Sequence, residues 1–426
     1  MKILLIRPKP DRKTIGLRSV MICEPLELMT LAGVLRNNGH TVTILDMILE
    51  RRPLKYFIRR ERPDVVGLTG YISHIGVIKD YSAQIKRISS SIVVCAGGVH
   101  AAVCPDDFND SNIDHICSTA DNFYKITGCK DLTPCLPDRN IPENYTGKYY
   151  YLFQKNCALI KTSFGCPYNC NFCFCKEITQ YSARSVENVI DELLTISQKE
   201  IYIVDDNFLY DQKRLIDFCE QLETRNIKKN FLVYGRADFI AENEDIIKRF
   251  AENGLSAVIV GIESASQDEL DGYNKRTKID DNISAVKILK KYNIECYATV
   301  ILGVDWDKSD FNRLFKFLKE LDIVFVNLQP FTPMPGTPNF NEYKDSFLIS
   351  FDQPEKWDMA HVVVKPGKLS VRQYYAQIIK LYYKITVTSK HTSYMIRRYG
   401  LKQTLKLSFG AFYITLQYFG KMAGGV

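Results

Sequence analysis

Thr162-Ser163-Phe164-Gly165-Cys166-Pro167-Tyr168-Asn169-Cys170-Asn171-Phe172-Cys173-Phe174 sets three cysteines in C-x3-C-x2-C spacing. Thiolates this close in sequence can face one soft metal centre. A structural zinc or a fully ligated iron–sulfur cluster takes four protein ligands, whereas three leave one metal position open for chemistry. Gly165 and Pro167 flank Cys166 and favour a loop, the conformation cysteines need to curl round a cluster. Phe172 stands where a flat apolar ring would lie beside a bound cofactor. Cys175 adds a competing pattern, C-x3-C-x2-C-x-C, which suits a four-thiolate zinc site. Zinc sites more often pair two C-x2-C hooks across a longer gap. An extended segment from Phe174 would also turn Cys173 and Cys175 to opposite sides.

On the C-terminal side of this loop the chain reads as a strand–helix repeat. Strands are expected at 158–162, 200–204, 230–234, 256–261, 295–302 and 323–328. Helices fall between them, such as Ser185–Ser197, with Glu187, Glu192 and Lys199 on its wet side, and Asn243–Asn253. Six such units make a partial (β/α)6 barrel of TIM type, whose working end is the C-terminal end of its strands. The polar residues fall there: Asp205-Asp206-Asn207, Arg236 with Asp238, Glu263-Ser264 and Gly303. Each alone also reads as a turn or helix-capping residue.

On the N-terminal side the runs Lys2–Ile6, Val42–Leu45, Val65–Leu68 and Ile92–Cys95 are apolar and strand-length. Helical spacing appears over Pro25–Asn38 and near 52–60 and 75–88. This alternation predicts a parallel, Rossmann-like α/β sheet with ligands at the carboxyl ends of its strands. Thr69-Gly70-Tyr71 and Ala96-Gly97-Gly98-Val99-His100 stand at those ends. Glycine there permits close backbone approach to a large ligand. Residues 126–154 are rich in Pro, Asn, Asp and Tyr and read as a linker wrapping between domains.

The 426 residues allow about two or three domains. The thirteen cysteines are scattered and form no small disulfide framework, which implies reduced thiols in a cytoplasm. Met1–Arg7 has four apolar residues before the arginine, too few for a signal peptide. From Met359 to Val426 there are eleven Lys and Arg and no Asp or Glu. The other 358 residues carry 45 basic and 49 acidic groups, a net of −4, so all the positive excess lies in the last 68. That asymmetry marks a partner surface.

C-x3-C-x-(aromatic)-C resembles the signature of the radical S-adenosylmethionine (SAM) enzymes. The resemblance implies a four-iron, four-sulfur cluster on Cys166, Cys170 and Cys173 whose open iron chelates SAM, with electron transfer then cleaving SAM to a 5'-deoxyadenosyl radical. Tyr181–Ser185, Asp205–Phe208, Gly235–Asp238, Gly261–Ser264 and Ile301–Gly303 follow in that family's order, and Pro333–Pro338 is similar to the turn closing its barrel. By the same resemblance Phe172, Asp206, Arg236, Glu263 and Ser264 are candidates for the SAM site. Upstream, Glu24–Asp46 and Cys95–Pro105 resemble the cobalamin-binding domain of the cobalamin-dependent (class B) branch. Thr69, Tyr71, Gly97, Gly98 and His100 are then the candidate cobalamin contacts. Two departures stand out. No D-x-H-x-x-G motif offers a lower histidine ligand to cobalt, and the acidic turn after the fifth strand reads Ser118-Thr119-Ala120-Asp121.

In the tail, Ser370–Lys384 reads as a Tyr-rich helix. Leu401, Leu405, Phe409, Phe412, Leu416 and Phe419 recur at helical spacing, with Lys402, Gln403 and Lys406 opposite. The uncharged run Leu407–Gly420 is too short to span a bilayer. Two readings stay open: a basic amphipathic helix on anionic lipid, and a helix whose apolar residues pack on the barrel. Asn and Gln pairs suited to reading bases are sparse, so no nucleic-acid partner is expected.

The expected organisation is a Rossmann-like cobalamin-binding domain over 1–130, a linker over 131–156, a radical SAM partial barrel over 157–345 and a basic, mostly helical region over 346–426. The resemblance implies a cytoplasmic, cobalamin-dependent radical SAM methyltransferase acting on an unactivated carbon of a small-molecule or lipid-like substrate. An external electron donor such as flavodoxin or ferredoxin would serve it, and the basic C-terminus would give peripheral membrane contact. The alternatives are a radical SAM cyclase or rearrangement enzyme with a vestigial cobalamin domain, and a non-catalytic zinc scaffold.

Overall fold

The computed structural model describes residues 1–16 and 20–424. They form two compact units. The first comprises Met1–Gly16, Glu24–Lys148 and Ser350–Asp358. Its sheet holds β1 (Lys2–Arg7), β2 (Thr41–Asp46), β3 (Val65–Thr69), β4 (Val93–Gly97) and β5 (His115–Cys117) in the spatial order β2-β1-β3-β4-β5. All four pairings are parallel. A parallel sheet is covered on both faces, so its strands run continuously apolar. Accordingly Ile3, Leu4, Leu5 and Ile6 are all buried. The chain starts in the middle of the sheet and reverses direction between β1 and β3, the switch point where such sheets bind ligands. Ser118-Thr119-Ala120-Asp121 opens the helix Ala120–Thr127, with Thr119 as its N-cap.

This unit extends past the expected boundary at 130. Residues 131–148, expected to fall mostly in a linker wrapping between domains, belong to this unit. The Asp138 backbone N–H donates to the Met29 carbonyl at 2.9 Å, and Arg36 pairs with the Asp138 carboxylate at 2.8 Å. Ser350–Asp358 also returns here, where the Ile15 N–H donates to Asp358 at 2.7 Å and Trp357 is buried.

The second unit comprises Tyr149–Ile349, the chain from Met359 onward and a segment ending at Cys23. Its sheet holds β6 (Cys157–Ile160), β7 (Glu200–Ile203), β8 (Asn230–Gly235), β9 (Leu255–Glu263), β10 (Glu295–Leu302) and β11 (Phe325–Pro330). The strands lie in sequence order and are parallel throughout, with helices between them, as a βα repeat requires. One side-chain expectation fails. Glu192, placed on the wet side of the helix Val186–Thr195, is fully buried and ion-paired to Arg184 at 2.6 Å. Its partner stands just before the helix's N-cap, Ser185, outside the helical periodicity.

Three helices end the chain: Val371–Thr386, Ser389–Tyr399 and Leu401–Gly424. Tyr374, on the first, donates its hydroxyl to the Leu302 and Gly303 carbonyls at 2.9 Å, which anchors the region to the end of β10. On the last helix Thr404 and Tyr418 are buried, and the Tyr418 ring packs on Tyr375 and Tyr382. Leu401, Leu405, Phe409, Phe412, Leu416 and Phe419 are all exposed, so the reading in which these residues pack on the barrel is overturned. No described helix is long and apolar enough to cross a membrane.

Candidate functional site

The cysteine loop leaves β6 and is fixed at both ends before the first cysteine appears. Asp205, just after β7, is buried and accepts from the Thr162 N–H and hydroxyl, both at 2.6 Å, and from the Ser163 hydroxyl at 2.7 Å. Ser163–Phe164 pairs antiparallel with Ser182–Ala183. Gly165 follows at φ +67°, where an added Cβ would lie 2.6 Å from the Thr179 carbonyl oxygen. Only glycine fits that turn. The far side of the loop is tied to the segment after β9. The Asn171 N–H donates to the Tyr273 carbonyl at 3.0 Å, and the Asn274 amide donates to the Asn169 carbonyl at 2.6 Å.

Cys166, Cys170 and Cys173 are close enough to influence one another electrostatically. Burial pushes the Cys166 and Cys170 thiols up. Two cations oppose this at Cys170. Arg236 Nη1 approaches its Sγ at 4.0 Å, and Lys275 lowers its pKa as well. Cys173 is pulled down to about 7, first by a hydrogen bond from the Cys175 thiol. Three thiols in one clamped loop beside buried cations suit an anionic thiolate cluster.

That hydrogen bond corrects the expectation that Cys173 and Cys175 diverge. Phe174 is helical, at φ −91° and ψ −2°, and Cys175 opens the helix Cys175–Ile178, so both thiols lie on one side. Cys175 Sγ also lies 3.5 Å from Asp206 Oδ1.

The SAM candidates divide into three groups. Phe172, Arg236 and Glu263 meet around Lys275, a residue whose polar-loop sequence carries no signal. Lys275 Nζ lies 2.8 Å from Glu263 Oε1 and 5.9 Å from the Phe172 ring, and its carbonyl accepts from Arg236 Nη2 at 2.6 Å. Arg236 also pairs with Asp238 at 2.7 Å and lies 3.7 Å over the Tyr168 ring. Glu263 stands at φ +58° on a bulge ending β9, which turns its carboxylate out of strand register. Ser264 is engaged by Glu269, which also accepts from Trp306 Nε1 at 2.5 Å. Asp206 lies apart from these, beside Cys175 and 3.6 Å from Lys161 Nζ. Within Asp205-Asp206 the sequence pointed to the second carboxylate, whereas the first secures the cysteine loop.

In the first unit Thr69 and Gly97 pair in register at the C-terminal ends of β3 and β4. Gly98 follows at φ +104°, where an added Cβ would come 2.7 Å from both the N and O of Gly70. Glycine is required there by the protein's own backbone, and not only by an incoming ligand as the sequence suggested. Tyr71 projects from the same edge and is 58% exposed. His100 is buried, its Nε2 is bonded to Asp107 at 2.7 Å, and its ring packs on Phe108. Burial lowers its pKa, against the opposing pull of Asp107. Two adjoining glycine turns with an exposed aromatic at the switch point suit a broad, flat ligand such as a corrin.

A B12 binding domain model matches residues 12–122, and a Radical SAM superfamily model matches residues 160–318. Hopanoid C-3 methylase from Methylococcus capsulatus is 24% identical, over 94% of this chain and 83% of that protein. Anaerobic magnesium-protoporphyrin IX monomethyl ester cyclase from Rubrivivax gelatinosus is 25% identical, over 87% of this chain and 74% of that protein. The solved structure of the cobalamin-dependent S-adenosylmethionine radical enzyme OxsB, with aqua-cobalamin and S-adenosylmethionine bound, shares the fold. Its TM-score is 0.69 at 17% identity, covering 98% of this chain and 72% of that one.

Proposed function

This chain belongs to the cobalamin-dependent (class B) radical SAM enzymes of methyltransferase type, and we propose that it methylates an unactivated carbon of a lipid-like small molecule. The observation that carries this reading is a B12 binding unit followed in one chain by a clamped three-cysteine loop on a βα sheet. The hopanoid methylase relative and the exposed apolar face of the terminal helix favour a lipid-like acceptor. Its cofactors are a 4Fe-4S cluster, SAM and cobalamin. When bound, the cluster and SAM supply hydrogen abstraction, and cobalamin supplies the methyl group.

In this reading Cys166, Cys170 and Cys173 hold the cluster, and Asp205 and Gly165 hold the loop that carries them. Arg236 and Lys275 favour the thiolate at Cys170. Phe172, Asp206, Arg236, Glu263 and Ser264 line the SAM site, with Lys275 fixing the Glu263 carboxylate. Thr69, Tyr71, Gly97 and Gly98 form the edge that takes the corrin, while His100 supports that edge from inside through Asp107. Electrons arrive from a flavodoxin- or ferredoxin-type donor. The protein works in the cytoplasm, peripheral to the membrane through its basic C-terminal region. A second reading, ring closure, is favoured by the cyclase relatives.

Cells expressing the chain, fed methyl-labelled methionine and cobalamin, test the proposal. Their lipid extract should gain a labelled species heavier by one methyl. That species should disappear in the Cys166→Ala/Cys170→Ala/Cys173→Ala variant and without cobalamin. A new product carrying no label would favour ring closure instead.

A further inference from the structure

The terminal helix is held on one side and bare on the other. Tyr418, 2% exposed, and Thr404 face the protein. Leu401, Leu405, Phe409, Phe412, Leu416 and Phe419 recur every three or four residues and so form one stripe along the helix. Every one of them faces solvent, Phe409 with 71% of its surface. Soluble monomers rarely leave so contiguous an apolar strip uncovered. Lys402 and Lys406 fall beside the stripe, and Lys406 is steadied over the Tyr150 ring at 3.9 Å. No Asp or Glu side chain lies from Met359 to Val426. Lys390 and Arg398 reach outside the region for Asp322 and Glu295.

We infer that this stripe docks the enzyme on an anionic lipid bilayer, with the helix lying in the interface. The inference deepens the proposed function and rests on its lipid-like acceptor for its purpose: docking would present the protein to a substrate dissolved in the bilayer. Charge decides between occupants. A second copy would set one all-basic region against another, whereas an anionic headgroup layer complements it. Phe and Leu on one face with lysines at its border match an interfacial helix.

The test is co-sedimentation of the full chain with vesicles, half phosphatidylglycerol and half phosphatidylcholine, against phosphatidylcholine alone. Truncating the helix would uncover the Tyr375 and Tyr382 rings, so point variants are the better probe. Phe409→Glu/Phe412→Glu changes two solvent-facing residues and should leave the thermal midpoint unchanged. Wild type should bind the anionic vesicles and lose binding as salt rises to about 0.5 M. The variant should bind at least about tenfold more weakly. Wild type ignoring anionic vesicles at low salt, or the variant binding equally well, overturns the inference. So does a wild-type dimer that the variant converts to monomer without any vesicle binding. SAM cleavage by the reconstituted protein in vesicle-free buffer should be the same in both. Loss of cleavage in wild type would instead defeat the proposed function.

Discussion

At the scale of single residues, Cys175 and Lys275 separate the account from its rivals. Cys175 shares a hydrogen bond with Cys173 and therefore stands within reach of the same metal. Its thiol is also turned to Asp206, so it need not be a ligand. Replacing Cys166, Cys170 or Cys173 by Ala should abolish SAM cleavage and lower bound iron. Cys175→Ala should keep four irons per chain after anaerobic reconstitution, and loss of iron there would make it a ligand. Lys275 and Glu263 form an ion pair in which both side chains are over nine-tenths buried. Breaking such a pair leaves an uncompensated charge and costs about 3–5 kcal/mol. Lys275→Met should therefore lower stability by roughly that amount in denaturant titration. Lys275→Met/Glu263→Gln should recover much of it while SAM affinity stays impaired. Nothing in Asn274-Lys275-Arg276 announced this lysine, because its partners come from β9 and the cysteine loop, which only the fold brings to it.

At the scale of elements, turns matter as much as strands. The two glycine turns at the edge of the first sheet support each other, and Gly98 stands at φ +104° against the Gly70 backbone. Gly98→Val should destabilise this unit in thermal unfolding, by on the order of 1–3 kcal/mol from the backbone conformation alone. Cobalamin retention should fall with it. Tyr71→Ala removes an exposed ring from the same edge, so it should weaken cobalamin retention with the thermal midpoint unchanged. A stable Gly98→Val protein would contradict this packing. The parallel strands were legible in sequence because burial on both faces makes them continuous apolar runs, as in Lys2–Arg7. The strap 131–148 was not legible. It is held by hydrogen bonds to a helix about a hundred residues earlier, so its Pro- and Asn-rich composition read as a linker. The terminal helix was legible as amphipathic, but spacing could not say which side met the protein. Tyr418 and Thr404 decide that, and neither belongs to the stripe.

At the scale of the whole molecule, a cobalamin unit and a cysteine-loop unit occupy one chain, and the positive charge gathers at its end. The C-x3-C-x2-C spacing of Cys166, Cys170 and Cys173 was readable because all three stand within one short loop. The substrate was not, because acceptor contacts come from scattered side chains with no fixed spacing. Methyl transfer and ring closure both begin with radical SAM chemistry, so the two are best told apart by the products of SAM itself. The full chain, reconstituted anaerobically with iron and sulfide and given a strong reductant, should be assayed with and without cobalamin. The account predicts S-adenosylhomocysteine together with 5'-deoxyadenosine when cobalamin is present, and loss of S-adenosylhomocysteine when it is absent. Formation of 5'-deoxyadenosine alone, whether or not cobalamin is present, would contradict it.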